Sequence, residues 1–412
     1  MISPHRRVAI TGLGVKAPAG CDIETFWETV RKAESVAAPI TRFDVSDFRV
    51  RFACEVRHFD PSERFDYRTA RRMDRVTQLA VAAALDAYED AEPAVEDPAR
   101  AGVVFGTGTG GIGTMYEQVK RLIAGGPDKV SPLLVPMTMS NAPPALVSME
   151  VGWTGASLTI STACASSAHA IGHGFRMVAT GESDVVLAGG GESGIEIYSL
   201  AAFSRMGALS TRNDDPTHAS RPFDAARDGY VMAEGAAFLL LEDLDRAEHR
   251  GAQIYAEVLG FGQNSDAHHI TSPSPDGSGA ERCMRAALSS AGLVPEDVGH
   301  VNAHGTSTEL NDLTEGLALA RLFGDRQVPV TASKGVFGHL MGGGGAAEAV
   351  VATLSVRDGL VPATANHENL DPHLSIDVVT EERVQERPIV LSNSFGFGGH
   401  NASLVFGPAP AA

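Results

Sequence analysis

Cys164 stands in STACASS at 161–167, where hydroxyl and methyl side chains leave room around a sulfur. An apolar stretch precedes this run and an alanine-rich one follows it, which predicts a cysteine at a helix N-terminus. There the helix dipole and the free N–H groups stabilise a thiolate, the form of cysteine that attacks a carbonyl carbon. Taken alone, such a cysteine is more often a small buried side chain. Two histidines change the balance. His304 lies in VNAHGTST at 301–308, and His339 follows Lys334 in SKGVFGHLMGGGG at 333–345. A histidine before a glycine-rich helix start can donate from Nε2 while it stays neutral. One histidine would be structural more often than not. A cysteine and two histidines at three matching strand ends are an unlikely accident and point to a functional site with a nucleophile. NSFGFGGHN at 393–401, glycine-rich and aromatic, reads as a flexible loop able to cover such a site, with an ordinary hairpin as the plainer reading.

The elements that must position these residues alternate. Val8–Thr11, Gly102–Gly106, Leu158–Ser161, Val185–Ala188, Val298–Ala303, Val328–Ala332 and Ile389–Leu391 read as short buried strands, separated by alanine-rich helical stretches. That is an α/β pattern. It also repeats. A helix at Gln78–Ala91, the strand AGVVFG and the loop TGTGG match a helix at Ala280–Ala291, the strand VGHVNA and the loop HGTST. SLTIS, TACASS and a helix at Ala165–Ala179 match VPVTAS, KGVFGHLMGGGG and a helix at Ala346–Arg357. Two such copies pack about a pseudo-twofold axis, and corresponding strand ends then meet. The halves expected are residues 1–253, carrying the cysteine, and 254–412, carrying both histidines.

The 412 residues suit two or three units of ordinary size, and a net charge of −18 argues against nucleic acid as the main partner. No apolar run is long enough to span a membrane, and MISPHRRVAITGLG has no signal-peptide core. Four dispersed cysteines (Cys21, Cys54, Cys164, Cys283) form neither a disulfide framework nor a zinc motif, so a reduced, cytoplasmic protein is expected. His268 and His269 lack metal-ligand spacing, and no metal is expected. Gly106–Gly111 has neither the order of a dinucleotide fingerprint nor the lysine of a phosphate loop.

From about Arg7 to Phe406 the sequence resembles the β-ketoacyl-acyl-carrier-protein synthases, thiolase-fold condensing enzymes. It looks most like synthase II and the ketosynthase subunits of type II polyketide synthases. The resemblance is carried by TACASS, by STRNDDP, ASRPFD and RDGYVMAEGA within 210–236, by VNAHGTST with Asn311, Asp312 and Glu315, by SK and GH at 333–339, and by NSFGFGG. It implies two pseudo-twofold halves in α-β-α-β-α layers. Cys164 accepts an acyl group from a carrier-protein thioester. The N–H groups of Cys164 and Phe397 form the oxyanion hole. His304 and His339 hold the malonyl thioester oxygen while CO₂ leaves, and the resulting enolate attacks the acyl group to give β-ketoacyl-ACP. Lys334 is expected to hold His339 and Glu315 in place. Thr306 and Thr308 match residues that bind the phosphopantetheine arm, and Phe203 and Phe397 match gates to the acyl pocket. The carrier protein brings this arm, so no cofactor of the enzyme's own is implied. A dimer is expected, with an identical chain or with a chain-length factor.

The carrier protein of this family is acidic, as this chain is, so docking needs a basic patch. Arg68, Arg71, Arg72 and Arg75 would supply one, all on a single face if one helix carries them. A solvated face or internal ion pairs are the plainer reading. Four departures bear on substrate: Phe337 before Gly338 and His339, Met341 with the four glycines after it, His400, and Thr109 where relatives often carry a larger apolar residue. A ring at Phe337 would narrow the site, and a hydroxyl at Thr109 would make the pocket longer or more polar. Together they point to polyketide or polyene elongation over ordinary fatty-acid synthesis. A non-catalytic chain-length-factor subunit is the alternative, disfavoured because such subunits replace the nucleophile. A thiolase or a coenzyme A starter synthase is disfavoured by the two-histidine set.

Overall fold

A computed structural model describes residues 6–410. Residues 1–5, the start of the segment expected to lack a signal-peptide core, and residues 411–412 lie outside the described residues. Eleven strands form one mixed sheet. In chain order they are β1 (Val8–Lys16), β2 (Ala101–Gly106), β3 (Ser157–Ile160), β4 (Val185–Ser193), β5 (Glu234–Asp243), β6 (Ala256–Ser265), β7 (His300–Asn302), β8 (Pro329–Thr331), β9 (Asp377–Val378), β10 (Val390–Gly396) and β11 (His400–Gly407). The strand order is β9-β8-β7-β10-β11-β6-β1-β5-β4-β2-β3. Reading outward from the centre, β1-β5-β4-β2-β3 mirrors β6-β11-β10-β7-β8. Parallel and antiparallel pairings match step for step. The halves join where Val8–Ile10 pairs antiparallel with Ala256–Val258.

Helices complete the layers. α1 (Arg75–Ala91), α2 (Ser166–Ala179), α3 (Ile197–Met206), α4 (Ser278–Ala291), α5 (Glu309–Phe323) and α6 (Gly344–Asp358) are the ones that position the site. α2 and α6 pack on each other and on strands of both halves, so the two halves of the sheet face one another across them. Such a central layer is apolar all round, and every residue of α6 from Gly344 to Val356 is buried. α1 covers the outer face of one half and α4 that of the other. The covers are equivalent. A Cβ on Gly14 would fall 1.9 Å from the Ala83 carbonyl of α1, and one on Gly262 would fall 2.3 Å from the Cys283 carbonyl of α4. Glycine is required at both because helix backbone rests directly on the strand.

Each of the seven predicted strands is present. β5, β6, β9 and β11 carry no prediction, although AAFLLL at 236–241 is a continuous apolar run of the kind that buried strands show. The single arginine helix does not exist. Asp66 caps a one-turn helix at Tyr67–Ala70, and the Asp74 carboxylate accepts from the Val76 N–H at 3.0 Å to start α1 afresh. Arg68, Arg71 and Arg72 are exposed. Arg75 turns inward and grips the buried Glu234 carboxylate through two bonds of 2.8 and 2.7 Å. NSFGFGGHN is not a free flexible loop. It is the tip of the β10–β11 hairpin, turned at Phe397–Gly399, where Gly398 and Gly399 adopt φ of +84° and +72°.

Candidate active site

The turn between β3 and α2 presents Cys164. Ala163 sits in the left-handed region at φ +51°, and the Ser166 hydroxyl pins the turn by accepting from the Thr162 N–H and donating to the Ala163 carbonyl. Gly396 of β10 comes so close that a Cβ there would lie 2.6 Å from the Thr162 carbonyl. That approach carries the next residue toward the sulfur, where the N–H groups of Phe397 and of Cys164 itself favour the ionised form. His339 Nε2 lies 3.1 Å from Sγ. The His304 and His339 rings meet edge to face, centroids 5.5 Å apart at 85°. A cysteine from one half and two histidines from the other therefore converge.

The helix N-terminus does not keep the sulfur ionised. Burial pushes the Cys164 thiol up to about 11, and the Lys334 charge and the two N–H groups only partly oppose this. The resting group is a thiol, and His339 is placed to take its proton. Burial, reinforced by the Lys334 charge, holds both imidazoles well below their ordinary value, so both are neutral.

Lys334 acts on a different histidine from the one expected. Its ammonium donates to the His304 carbonyl at 2.6 Å and to His304 Nδ1 at 3.3 Å, and it pairs with Glu348 on α6. It makes no bond to His339 or Glu315. An ammonium can only donate, so Nδ1 of His304 must accept and Nε2 must carry the hydrogen. Nδ1 of His339 has no partner among the described residues, so no bond fixes its tautomer. Glu315, on α5, holds His304 another way: its two oxygens accept from the His304 and Gly305 N–H groups, each at 2.8 Å. Glu348 was missed by the sequence reading. A lone carboxylate among the alanines and valines of α6 was the available signal, because a buried charge demands a partner.

A cavity of about 580 Å³ opens onto these groups. Phe203 on α3, Thr109, Thr306, Thr308 and Phe397 line it, and so do Tyr230 and Glu192, which were missed. Thr109 gives its hydroxyl to Glu192 at 2.5 Å, so that hydroxyl is not free for substrate. Phe337 does not narrow the site. It is fully buried in the core and packs on Phe26, 5.7 Å between centroids. Its short helical turn faces the core while the left-handed Gly338, at φ +72°, redirects the chain to His339. Another cleft, of about 680 Å³, is lined by Lys16, Cys21, His58 and Asp86, and it lacks the Cys164–His339 pair. Among the described residues no cluster could hold a metal ion, and no helix is long and apolar enough to cross a membrane.

Residues 5–247 match the beta-ketoacyl synthase N-terminal domain, and residues 255–368 match its C-terminal domain. A 3-oxoacyl-[acyl-carrier-protein] synthase 2 from Synechocystis sp. is 43% identical over 97% of this chain and 98% of its own length. The solved ishigamide ketosynthase/chain length factor superposes with a TM-score of 0.92 at 35% identity, covering 98% of this chain and 100% of that one. A type II PKS acyl-carrier protein in complex with its ketosynthase bound to the hexaketide superposes at 0.91 with 28% identity, covering 98% and 100%. The thiolase-like layers, the converging cysteine and histidines and these matches agree: the chain belongs to the beta-ketoacyl synthase family and is an acyltransferase of the ketosynthase class.

Proposed function

We propose that the chain makes β-ketoacyl-ACP by decarboxylative Claisen condensation, with Cys164 as nucleophile and His304 and His339 as the oxygen-holding pair. The observation that carries this reading is the 3.1 Å contact between Cys164 Sγ and His339 Nε2 beneath two N–H donors. The thiol gives its proton to Nε2 as sulfur attacks the acyl thioester. The oxyanion accepts from the N–H groups of Cys164 and Phe397, and the pantetheine thiol leaves with the proton. The malonyl thioester oxygen then accepts from Nε2–H of both histidines. The bond to the carboxylate breaks, CO₂ departs, and the enolate carbon displaces Cys164. His304, locked by Lys334, serves only as donor. His339, with Nδ1 free, changes tautomer between the two halves of the cycle.

Thr306 and Thr308, bonded to each other at 2.9 Å, suit the pantetheine arm, and Phe203 and Phe397 suit a gate to the acyl chain. The steps call on no cofactor beyond the carrier's arm. Arg68, Arg71 and Arg72 are the docking patch for an acidic carrier protein; Arg75 is withdrawn from it by Glu234. The edge strand β3, with Leu158 exposed, supports pairing with an identical chain or a chain-length factor. The functional halves are residues 1–253 and 254–412. The four free cysteines fit a reducing cytoplasm.

The acyl chain is read as a polyketide or polyene intermediate, on the small Thr109 side chain in the cavity wall; Phe337 lends this nothing. Fatty-acid elongation is the second reading, favoured by the relative named 3-oxoacyl-[acyl-carrier-protein] synthase 2. Intact mass after mixing with a panel of acyl-ACPs tests both. A mass shift that is lost in Cys164→Ala is expected, and the chain that loads best chooses the pathway. No shift from folded protein, alone or with a ketosynthase-like partner, would favour the non-catalytic subunit.

A further inference from the structure

Tyr230 carries a hydroxyl that no described residue answers. The residue is 4% exposed, and its oxygen is buried with no hydrogen-bonding partner among the described residues. Buried phenols ordinarily find one. The ring stands edge-on to His339 at 5.3 Å and to Phe203 at 6.0 Å, and it lines the cavity that holds Cys164. On that wall the Thr109 hydroxyl is taken by Glu192, and Thr306 and Thr308 share one bond. Phenylalanine would fill nearly the same volume and leave no oxygen unmet. The ring therefore stands between Phe203 and His339 on the cavity wall, with its unmatched hydroxyl buried at that wall, beside the path that the first carbons of a Cys164-bound chain must take.

We infer that Tyr230 is a specificity residue whose O–H donates to an oxygen on the acyl chain near the thioester. The favoured substrates are then oxygenated acyl groups, such as 3-hydroxyacyl or 3-oxoacyl chains. The malonyl carboxylate is the competing acceptor. A bond there would stabilise the anion before CO₂ leaves and so oppose the step the site must promote. Contact with Phe203, on the acyl side of the cavity, also favours the acyl chain. This inference rests on the condensing function proposed above and assigns its substrate class.

The test follows Cys164 acylation by intact mass with 3-hydroxyacyl and saturated pantetheine thioesters of one length, and separately CO₂ release from malonyl-ACP. Wild type should load the oxygenated chain faster. Tyr230→Phe should lose about tenfold on that chain, the worth of one hydrogen bond, and keep its rate on the saturated chain and its CO₂ release. Equal loading of both chains by wild type would overturn the inference, and so would equal loss on both in the variant. A loss confined to CO₂ release would also overturn it and assign the hydroxyl to the carboxylate. The wild-type preference needs no variant, so the inference stays testable if Tyr230→Phe fails to fold. Loading of neither chain by wild type would instead remove the condensing function itself.

Discussion

Two buried glutamates, one in each half, show how differently this fold treats an internal charge. Glu234 opens β5. Arg75 and Arg42 grip it, and the Val56 N–H and Ser193 hydroxyl complete its shell. Burial pulls its carboxyl up, but the arginines outweigh that and hold it below the usual range. Glu348 lies in α6 with Lys334 as its one partner, and its second oxygen has none among the described residues. Burial pushes it up to about 7, with the lysine opposing only in part. The structural charge is fully satisfied. The charge behind the reacting histidines is left under-satisfied, and its lysine is shared with His304. Where a charge serves the fold, every lone pair is filled; where it serves chemistry, the partner has other work.

The comparison can be broken most sharply at Lys334. Lys334→Ala removes the one bond among the described residues that fixes the His304 tautomer. Decarboxylation should fall by about 10³-fold, by analogy with loss of a preorganised donor, and the cavity and the unmet His304 carbonyl left behind should lower thermal stability as well. A large drop in Tm with full decarboxylation by the remaining folded enzyme would reverse the roles drawn here. Arg75→Glu should act on stability alone. It places a second carboxylate against buried Glu234 and should cost about 3 kcal/mol of stability in denaturant unfolding. Folded Arg75→Glu should still take acyl groups onto Cys164.

Glu348 predicts a pH signature that Glu234 lacks. Its folded carboxyl titrates near 7, against an ordinary 4.5. Between those values the native state holds a proton that the unfolded chain releases, so this group's contribution to stability declines as pH rises through the window. Tm measured across that range should decline less steeply in Glu348→Gln than in wild type; identical slopes would show that Glu348 ionises normally. The smallest effect belongs to the surface. Arg68→Glu with Arg72→Glu should raise KM for acyl-ACP about tenfold, equivalent to 1.4 kcal/mol, leave Tm unchanged, and spare a small pantetheine thioester. Equal loss with both substrates would sink the docking patch.

The sequence displayed the reacting atoms better than what holds them. Cys164, His304 and His339 sit in motifs whose small neighbours already mark strand ends, and the mirrored strand order follows the repeat visible in the chain. Helical spacing misled at Arg68–Arg75, because Asp66 and Asp74 each start a helix of their own and a cap overrides a periodicity. It was silent on Glu348, Glu192 and Tyr230, whose importance lies in what their polar atoms meet across the fold. Phe337, beside His339 in sequence, points away from it because Gly338 reverses the chain between them. Adjacency along the chain is a poor guide to adjacency in a site.

β11 is the last strand of the chain, yet it lies between β10 and β6 near the middle of the sheet. Removing it would not trim an edge. It would split the sheet at its centre, release the hairpin that brings Phe397 to the sulfur, and uncouple the half that holds the nucleophile from the half that holds the imidazoles. A chain interrupted before that strand, by early termination or a protease, would therefore carry every reacting residue and condense nothing. The position of one strand makes the site depend on the last strand to join the sheet.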